Sequence, residues 1–89
     1  DLARVFGIQL ADTLAAPWSS VRDECMNRRL LPGNGYARLA DRLAELADRG
    51  PLPPIGVEVF GDALAGQSPD EAAATAFASM ATVLADAGL

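Results

Sequence analysis

The sequence predicts an α/β fold in which two parallel strands alternate with amphipathic helices. Two observations support this fold class. The chain has two short apolar runs, the second of them bounded by proline and glycine. Each run is followed by a segment with helix caps or with apolar residues at three- and four-residue spacing. The 89 residues, 51% of them hydrophobic, allow one globular domain at most.

The first strand is predicted near residues 4–11, where Phe6, Ile8 and Leu10 alternate with small or uncharged side chains. Between Arg4 and Asp12 the run contains no charged residue. A run that is apolar on both faces is typical of a strand buried on both sides of a parallel sheet.

A long polar connection is predicted over residues 13–35, with one short helix inside it. Ser19 or Ser20 is the expected N-cap of this helix, and acidic residues follow in its first turn. The helix is expected to end around residues 28–31, before proline and two glycines interrupt the chain.

A second helix is predicted over residues 36–49, because Leu39, Leu43 and Leu46 recur at three- and four-residue spacing. A second strand is expected over residues 55–60, a β-branched run that proline precedes and glycine follows.

The last helix is predicted over residues 69–87. Ser68 is its N-cap, and Glu71 completes a capping box. The side chains expected to form its buried stripe are Ala73, Ala76, Phe77, Met80, Leu84 and Ala87.

Charge and composition exclude several functions. The net charge is −5, and this sign disfavours binding to DNA or RNA. The chain has no histidine and one cysteine, so it cannot complete a Ser-His-Asp triad, a Cys/His zinc site or an internal disulfide. We expect a cytoplasmic protein without membrane contact, because neither a membrane span nor a signal peptide is visible.

Two βα units are not expected to form a complete fold. A two-stranded parallel sheet has two open edges, and two helices do not cover both of its faces. A barrel of eight such units needs about 250 residues. We therefore interpret the chain as part of a larger barrel, whose other strands are its expected partner.

Two polar side chains stand near the carboxyl ends of the predicted strands, where βα barrels place their active sites. Gln9 and Glu58 each follow a glycine by two residues, so each shares a face with a small residue. An ionised Glu58 among apolar neighbours is costly unless it is paired or binds a cation. The alternative is a structural ion pair with an arginine such as Arg29.

Three further residues keep two interpretations each. Asp12, just beyond the first strand, either orients a ligand or caps the following turn, and the cap is the expected role in isolation. Arg28 and Arg29 either hold a substrate anion or form a solvated pair of surface charges.

Three segments, 8–12, 29–35 and 56–60, resemble the end of a xylose isomerase-like TIM barrel. More narrowly, they are similar to the sugar phosphate isomerase/epimerase family. The resemblance implies that these segments are the seventh strand, the loop after it and the eighth strand. The expected fold is then the last two βα units of a (β/α)8 barrel, with residues 1–89 as its C-terminal quarter to third.

The resemblance also implies roles for four residues. Glu58 corresponds to a glutamate that binds a divalent metal and acts in acid/base catalysis. Gln9 corresponds to a second metal ligand, Arg29 to a substrate-binding arginine at the mouth of the site, and Asp12 to an acid that follows the seventh strand. The remaining ligands of the family come from earlier strands.

The implied function is a divalent-metal-dependent isomerase or epimerase that acts on a sugar, sugar phosphate or polyol by proton transfer next to a carbonyl. Oxygen ligands favour Mn²⁺ or Mg²⁺, and Zn²⁺ or Co²⁺ are also compatible. Two alternatives stay open: a dehydratase of 3-dehydroshikimate type, and a non-catalytic acidic helical interaction module. The sequence does not decide whether the protein is a homo-oligomer.

Overall fold

A computed structural model describes residues 1–16 and 20–89 of the chain, and these form a small α/β unit. The order of elements is strand, helix, helix, strand, helix. One 3-10 turn precedes the first strand, and another follows the second strand. The bounds are β1 Ile8–Leu10, α1 Val21–Asn27, α2 Leu39–Ala47, β2 Ile55–Val57 and α3 Pro69–Asp86, with 3-10 turns at Leu2–Arg4 and Asp62–Leu64.

The two strands are parallel neighbours, as the sequence predicted. Ile8 lies opposite Ile55, and Leu10 lies opposite Val57. The hydrogen bonding continues one step beyond β2, because the Glu58 N–H donates to the Leu10 carbonyl at 3.1 Å.

The core lies on one face of this sheet. Leu10 from β1, Leu43 from α2 and Val83 from α3 are buried against each other. Ile8 and Ile55 pack partly buried beside them, so the helices shield one face of the sheet from water. Leu43 confirms the apolar stripe that the leucine spacing predicted for α2.

Both strands are shorter than the predicted 4–11 and 55–60. Residues Leu2–Arg4 form a 3-10 turn whose N-cap is Asp1, so this part of the chain does not pair with β2. Beyond the strands, residues 28–31 cross the carboxyl ends and take over the backbone pairing of Asp12 and Gly61.

Two helices, α1 and α3, begin where their caps predicted, whereas α2 at Leu39–Ala47 is shorter than the predicted 36–49 and has no side-chain cap. The Ser20 hydroxyl accepts a hydrogen bond from the Asp23 N–H at 3.0 Å, and Ser68 does the same for Glu71 at 3.2 Å. The other predicted cap of α1, Ser19, lies outside the described residues.

The second face of the sheet is open in this chain, as expected of two βα units alone, and Phe60 beyond β2 is 51% exposed. The predicted buried stripe of α3 was wrong at Ala73 and Phe77, and Ala73 is exposed. Phe77 of α3 is 66% exposed, and Val83 is the buried residue of that helix. Six residues at about 100° each place these two side chains about 120° apart around the helix axis, so they cannot face the same core.

Among the described residues, no helix is long and apolar enough to cross a membrane.

Candidate functional site at the carboxyl ends of the strands

A crossing segment, residues 28–31, runs over the carboxyl ends of both strands. Asp12 and Leu30 exchange backbone hydrogen bonds at 2.8 and 3.0 Å, which join the segment to the end of β1. The Arg29 N–H donates to the Phe60 carbonyl at 3.1 Å, which joins it to the chain beyond β2. The crossing segment therefore fixes Arg29 at the edge of the sheet where barrel enzymes bind substrates.

Close backbone approach makes glycine necessary at two points of this arrangement. A Cβ atom at Gly61 would collide with the carbonyl oxygen of Arg29. A Cβ atom at Gly35 would collide with the carbonyl oxygen of Thr13 and would lie 2.6 Å from Oδ1 of Asp12. Both glycines therefore allow loops from different parts of the chain to pack at backbone distance.

The carboxylate of Asp12 holds the turn that follows the crossing segment. Oδ1 accepts backbone N–H groups from Thr13 and Ala37, each at 2.9 Å, and Oδ2 accepts the Gly33 N–H at 3.0 Å. Asp12 is only 1% exposed. Of the two roles expected for this residue, the turn-capping role is the one present, and direct contact with a substrate stays a prediction.

The guanidinium of Arg29 has two partners on α1. Nη2 donates to Sγ of Cys25 at 3.0 Å and lies 3.4 Å from Oε2 of Glu24. The hydrogen bond to Cys25 raises the pKa of Arg29, burial lowers it, and the charge of Glu24 raises it further. The net direction is upward, so Arg29 stays charged at every physiological pH.

Glu24 is a residue that sequence reasoning missed. It is 7% exposed, and its Oε1 has no hydrogen-bond partner among the described residues. The acidic residue itself was predicted as part of the first turn of a helix. Its partner could not be predicted, because Arg29 lies beyond the end of α1, where helical spacing no longer applies.

Arg28 connects the two loops that follow the strands. Its Nε lies 3.5 Å from Oδ2 of Asp23 on α1, and its Nη1 lies 3.9 Å from Oδ2 of Asp62 in the second 3-10 turn. Both arginines of the crossing segment are therefore paired with carboxylates.

A groove of about 400 Å³ opens beside the crossing segment. Leu14 and Leu30 form its apolar part, and Arg28, Arg29 and Asp62 supply charged groups. The groove lies beyond the carboxyl ends of β1 and β2, because its lining residues follow the two strands in the chain.

Gln9 and Glu58 lie on the open face of the sheet. Both are exposed, whereas Leu10 beside Gln9 is buried, which is the alternation expected of a strand. Gly56, opposite Gln9, faces open space, since a Cβ atom there would touch nothing within 4 Å. The predicted shared face is thus consistent with the exposure of these residues.

The geometry allows both side chains to reach one ligand. Glu58 stands one strand across and two residues further along than the partner of Gln9, so their Cα atoms are about 8 Å apart by ordinary strand spacing. Within residues 1–16 and 20–89, no hydrogen bond or ion pair reaches either side chain. The alternative ion pair between Glu58 and Arg29 is not formed, since Arg29 is paired with Glu24.

The two oxygen donors on the open face, the amide oxygen of Gln9 and the carboxylate of Glu58, fit a hard divalent cation. A carboxylate and an amide oxygen are ligands that Mn²⁺ and Mg²⁺ accept. The described residues contain no group of three or more Asp, Glu, Cys or His side chains placed to hold a metal. Gln9 and Glu58 supply two oxygen donors on one face of the sheet.

Comparison with protein-family models and with curated proteins found no match for this chain. The resemblance of segments 8–12, 29–35 and 56–60 to sugar phosphate isomerases and epimerases stays a prediction from the sequence.

Proposed function

We propose that residues 1–89 are the last two βα units of a (β/α)8 barrel. Three features support this. The strands are parallel, α3 covers only one face of the sheet, and the uncovered face carries Gln9 and Glu58. In a complete barrel the open face would become the interior, and the carboxyl ends would line the active site.

Within that barrel we propose a divalent-metal-dependent isomerase or epimerase that acts on a sugar or sugar phosphate. The single observation that carries this proposal is the position of Gln9 and Glu58. A carboxylate and an amide oxygen stand on one face, near the carboxyl ends of neighbouring strands, without partners among the described residues.

Glu58 and Gln9 would hold the metal, which is Mn²⁺ or Mg²⁺ in this proposal, with Zn²⁺ or Co²⁺ as substitutes. When bound, such a metal supplies Lewis acidity toward a carbonyl or hydroxyl oxygen. Glu58 would also move the proton next to the carbonyl, because its carboxylate is exposed and not committed to an ion pair.

The other two residues act around this centre. Arg29 lines the groove at the carboxyl ends and presents its remaining N–H groups to substrate oxygens. Asp12 is a positioning residue in this scheme, because its carboxylate holds the backbone of the turn that follows Arg29.

An interaction module is a second candidate, and exposed aromatic side chains favour it. Phe6 is 88% exposed, and Phe60 and Phe77 are more than half exposed. A barrel fragment has the same property, because missing elements would cover such surfaces. The two candidates differ in whether the isolated 89 residues fold on their own.

The test compares Glu58→Gln with Gln9→Ala in the intact protein, using a panel of sugars, sugar phosphates and polyols with added Mn²⁺. Glu58→Gln removes the proton-transfer group and the negative ligand, so we expect turnover to fall by at least about 100-fold. Gln9→Ala should lower Mn²⁺ affinity and leave more turnover at saturating Mn²⁺.

Glu45→Gln serves as the matched control, since Glu45 is exposed near the end of α2 and its ion pair with Arg42 lies on the surface. It should keep normal turnover and metal content. Near-normal turnover of Glu58→Gln at unchanged Mn²⁺ content would refute the proposal.

A further inference from the structure

Glu24 on α1 is a buried carboxylate that stands beside the groove residue Arg29. Its Oε2 lies 3.4 Å from Nη2 of Arg29. Its Oε1 is buried and has no hydrogen-bond partner among the described residues. Because a buried polar atom without a partner lowers the stability of the folded state, stability alone does not explain a glutamate at this position.

An uncharged side chain would serve the fold equally well. Buried ion pairs are often no more stabilising than well-packed apolar residues of similar volume, since both charges lose their hydration. The dipole of α1 favours a carboxylate in its first turn, but Asp23 already lies there, and this role needs no burial. Among the described residues, the distinctive contribution of Glu24 is the negative charge next to the guanidinium of Arg29.

The guanidinium of Arg29 is anchored through one nitrogen atom. Nη2 makes both contacts with α1, to Oε2 of Glu24 and to Sγ of Cys25 at 3.0 Å. Within residues 1–16 and 20–89, no hydrogen bond uses Nε or Nη1 of this side chain. Arg29 is partly exposed and lines the groove. The anchor therefore holds the group in place and leaves two donor nitrogens for a ligand.

Arg28, the neighbouring arginine of the groove, is held by other carboxylates. Its guanidinium contacts Asp23 on α1 and Asp62 in the second 3-10 turn. A change at the carboxylate of Glu24 leaves both of these contacts in place. An effect of Glu24 on ligand binding in the groove must then act through Arg29.

We infer that Glu24 is a positioning residue of the groove, which fixes the guanidinium of Arg29 for a substrate oxygen and thereby sets the affinity for the substrate. The inference rests on the proposed function and adds a residue of α1 to it. Glu24 itself does not line the groove. A donor that is already ordered loses less entropy when the ligand binds. The same contact serves the bound substrate and the transition state, so Glu24 affects KM and leaves kcat nearly unchanged.

The first arm of the test needs no knowledge of the substrate. The intact protein is treated with p-hydroxyphenylglyoxal, which modifies guanidinium groups, and the labelling rate of each arginine is measured by peptide mass spectrometry. Glu24→Gln keeps the shape of the side chain and removes the ion pair, so Arg29 should be labelled at least about fivefold faster. An unchanged labelling rate of Arg29 in this variant would overturn the inference.

Glu45→Gln is the matched control for both arms. It makes the same chemical change in an ion pair on the surface of α2, where Glu45 lies 3.1 Å from Arg42. Neither residue lines the groove. The variant should leave the labelling rate of Arg29 and the KM at their wild-type values.

The second arm measures KM and kcat for the sugar, sugar phosphate or polyol that the wild-type protein turns over. Glu24→Gln should raise KM at least about tenfold, the usual value of a hydrogen bond to a charged group, and change kcat by less than about threefold. The urea midpoint should not fall below that of Glu45→Gln, because Arg29 reaches water and keeps its bond to Cys25. A lower midpoint with an unchanged KM would show a purely structural role and overturn the inference.

Glu24→Asp is the second variant. It keeps the charge beside Arg29 and withdraws the carboxylate by one methylene group, so its KM should lie between those of the wild type and Glu24→Gln. A wild-type KM in both variants would overturn the inference. If the wild-type protein turns over no compound of the panel, the proposed function fails, and the labelling of Arg29 still decides whether Glu24 fixes this guanidinium in the groove.

Discussion

The connection between β1 and α2 depends on one buried carboxylate, that of Asp12. Replacing Asp12 by alanine leaves the N–H groups of Thr13, Gly33 and Ala37 without their acceptor. An unsatisfied buried polar group costs about 1–3 kcal/mol. The expected loss in the free energy of unfolding is therefore about 3–6 kcal/mol, allowing water to satisfy part of the freed groups.

Asp12→Asn is the milder variant, in case Asp12→Ala does not fold. The asparagine keeps one acceptor oxygen. Its NH2 group replaces Oδ2, which in the native protein accepts the hydrogen bond from the Gly33 N–H, and an NH2 group cannot accept that bond. We expect a loss of about 1.5–3 kcal/mol, the usual value of a hydrogen bond to a charged group.

The assay is urea unfolding of the intact protein, followed by far-UV circular dichroism and analysed for the midpoint at constant slope. Asp41→Asn is the control, because Asp41 is exposed and its ion pair with Arg38 should contribute less than about 1 kcal/mol. If Asp12→Asn and Asp12→Ala both stayed within the range of this control, the account of Asp12 as the residue that holds the turn would be wrong.

Two further predictions concern packing and completeness. Gly61→Ala should destabilise the intact protein by about 1–3 kcal/mol in the same urea unfolding assay, because the added methyl group collides with the carbonyl of Arg29. The isolated 89-residue chain should melt without a cooperative transition in differential scanning calorimetry, because one face of its sheet is uncovered; a sharp transition would contradict this and favour the interaction module.

The candidate site could be predicted in part. The period of two along a strand places Gln9 with Gly7, and Glu58 with Gly56, and the exposure of the two polar residues agrees with this. The pairing of Arg29 could not be predicted. It depends on where α1 ends and on the path of the crossing segment, and neither is encoded by the residues next to Arg29.

The burial of side chains could likewise be predicted only in part. The leucine spacing identified Leu43 as a core residue of α2, because its helix has one clear apolar stripe. The last helix is apolar almost all the way round, so its sequence did not distinguish Val83, which is buried, from Phe77, which is exposed. Only the position of α3 against the sheet made that choice.

The sequence by itself determined the elements, their order and the faces of the strands, because caps, turn residues and side-chain periodicity act within a few residues. The tertiary structure alone decided how those elements meet at the carboxyl ends. Asp12 bonds to Ala37, and Arg28 pairs with Gly61. These contacts join residues far apart in the chain, and they form because buried polar groups must find partners wherever the fold brings them.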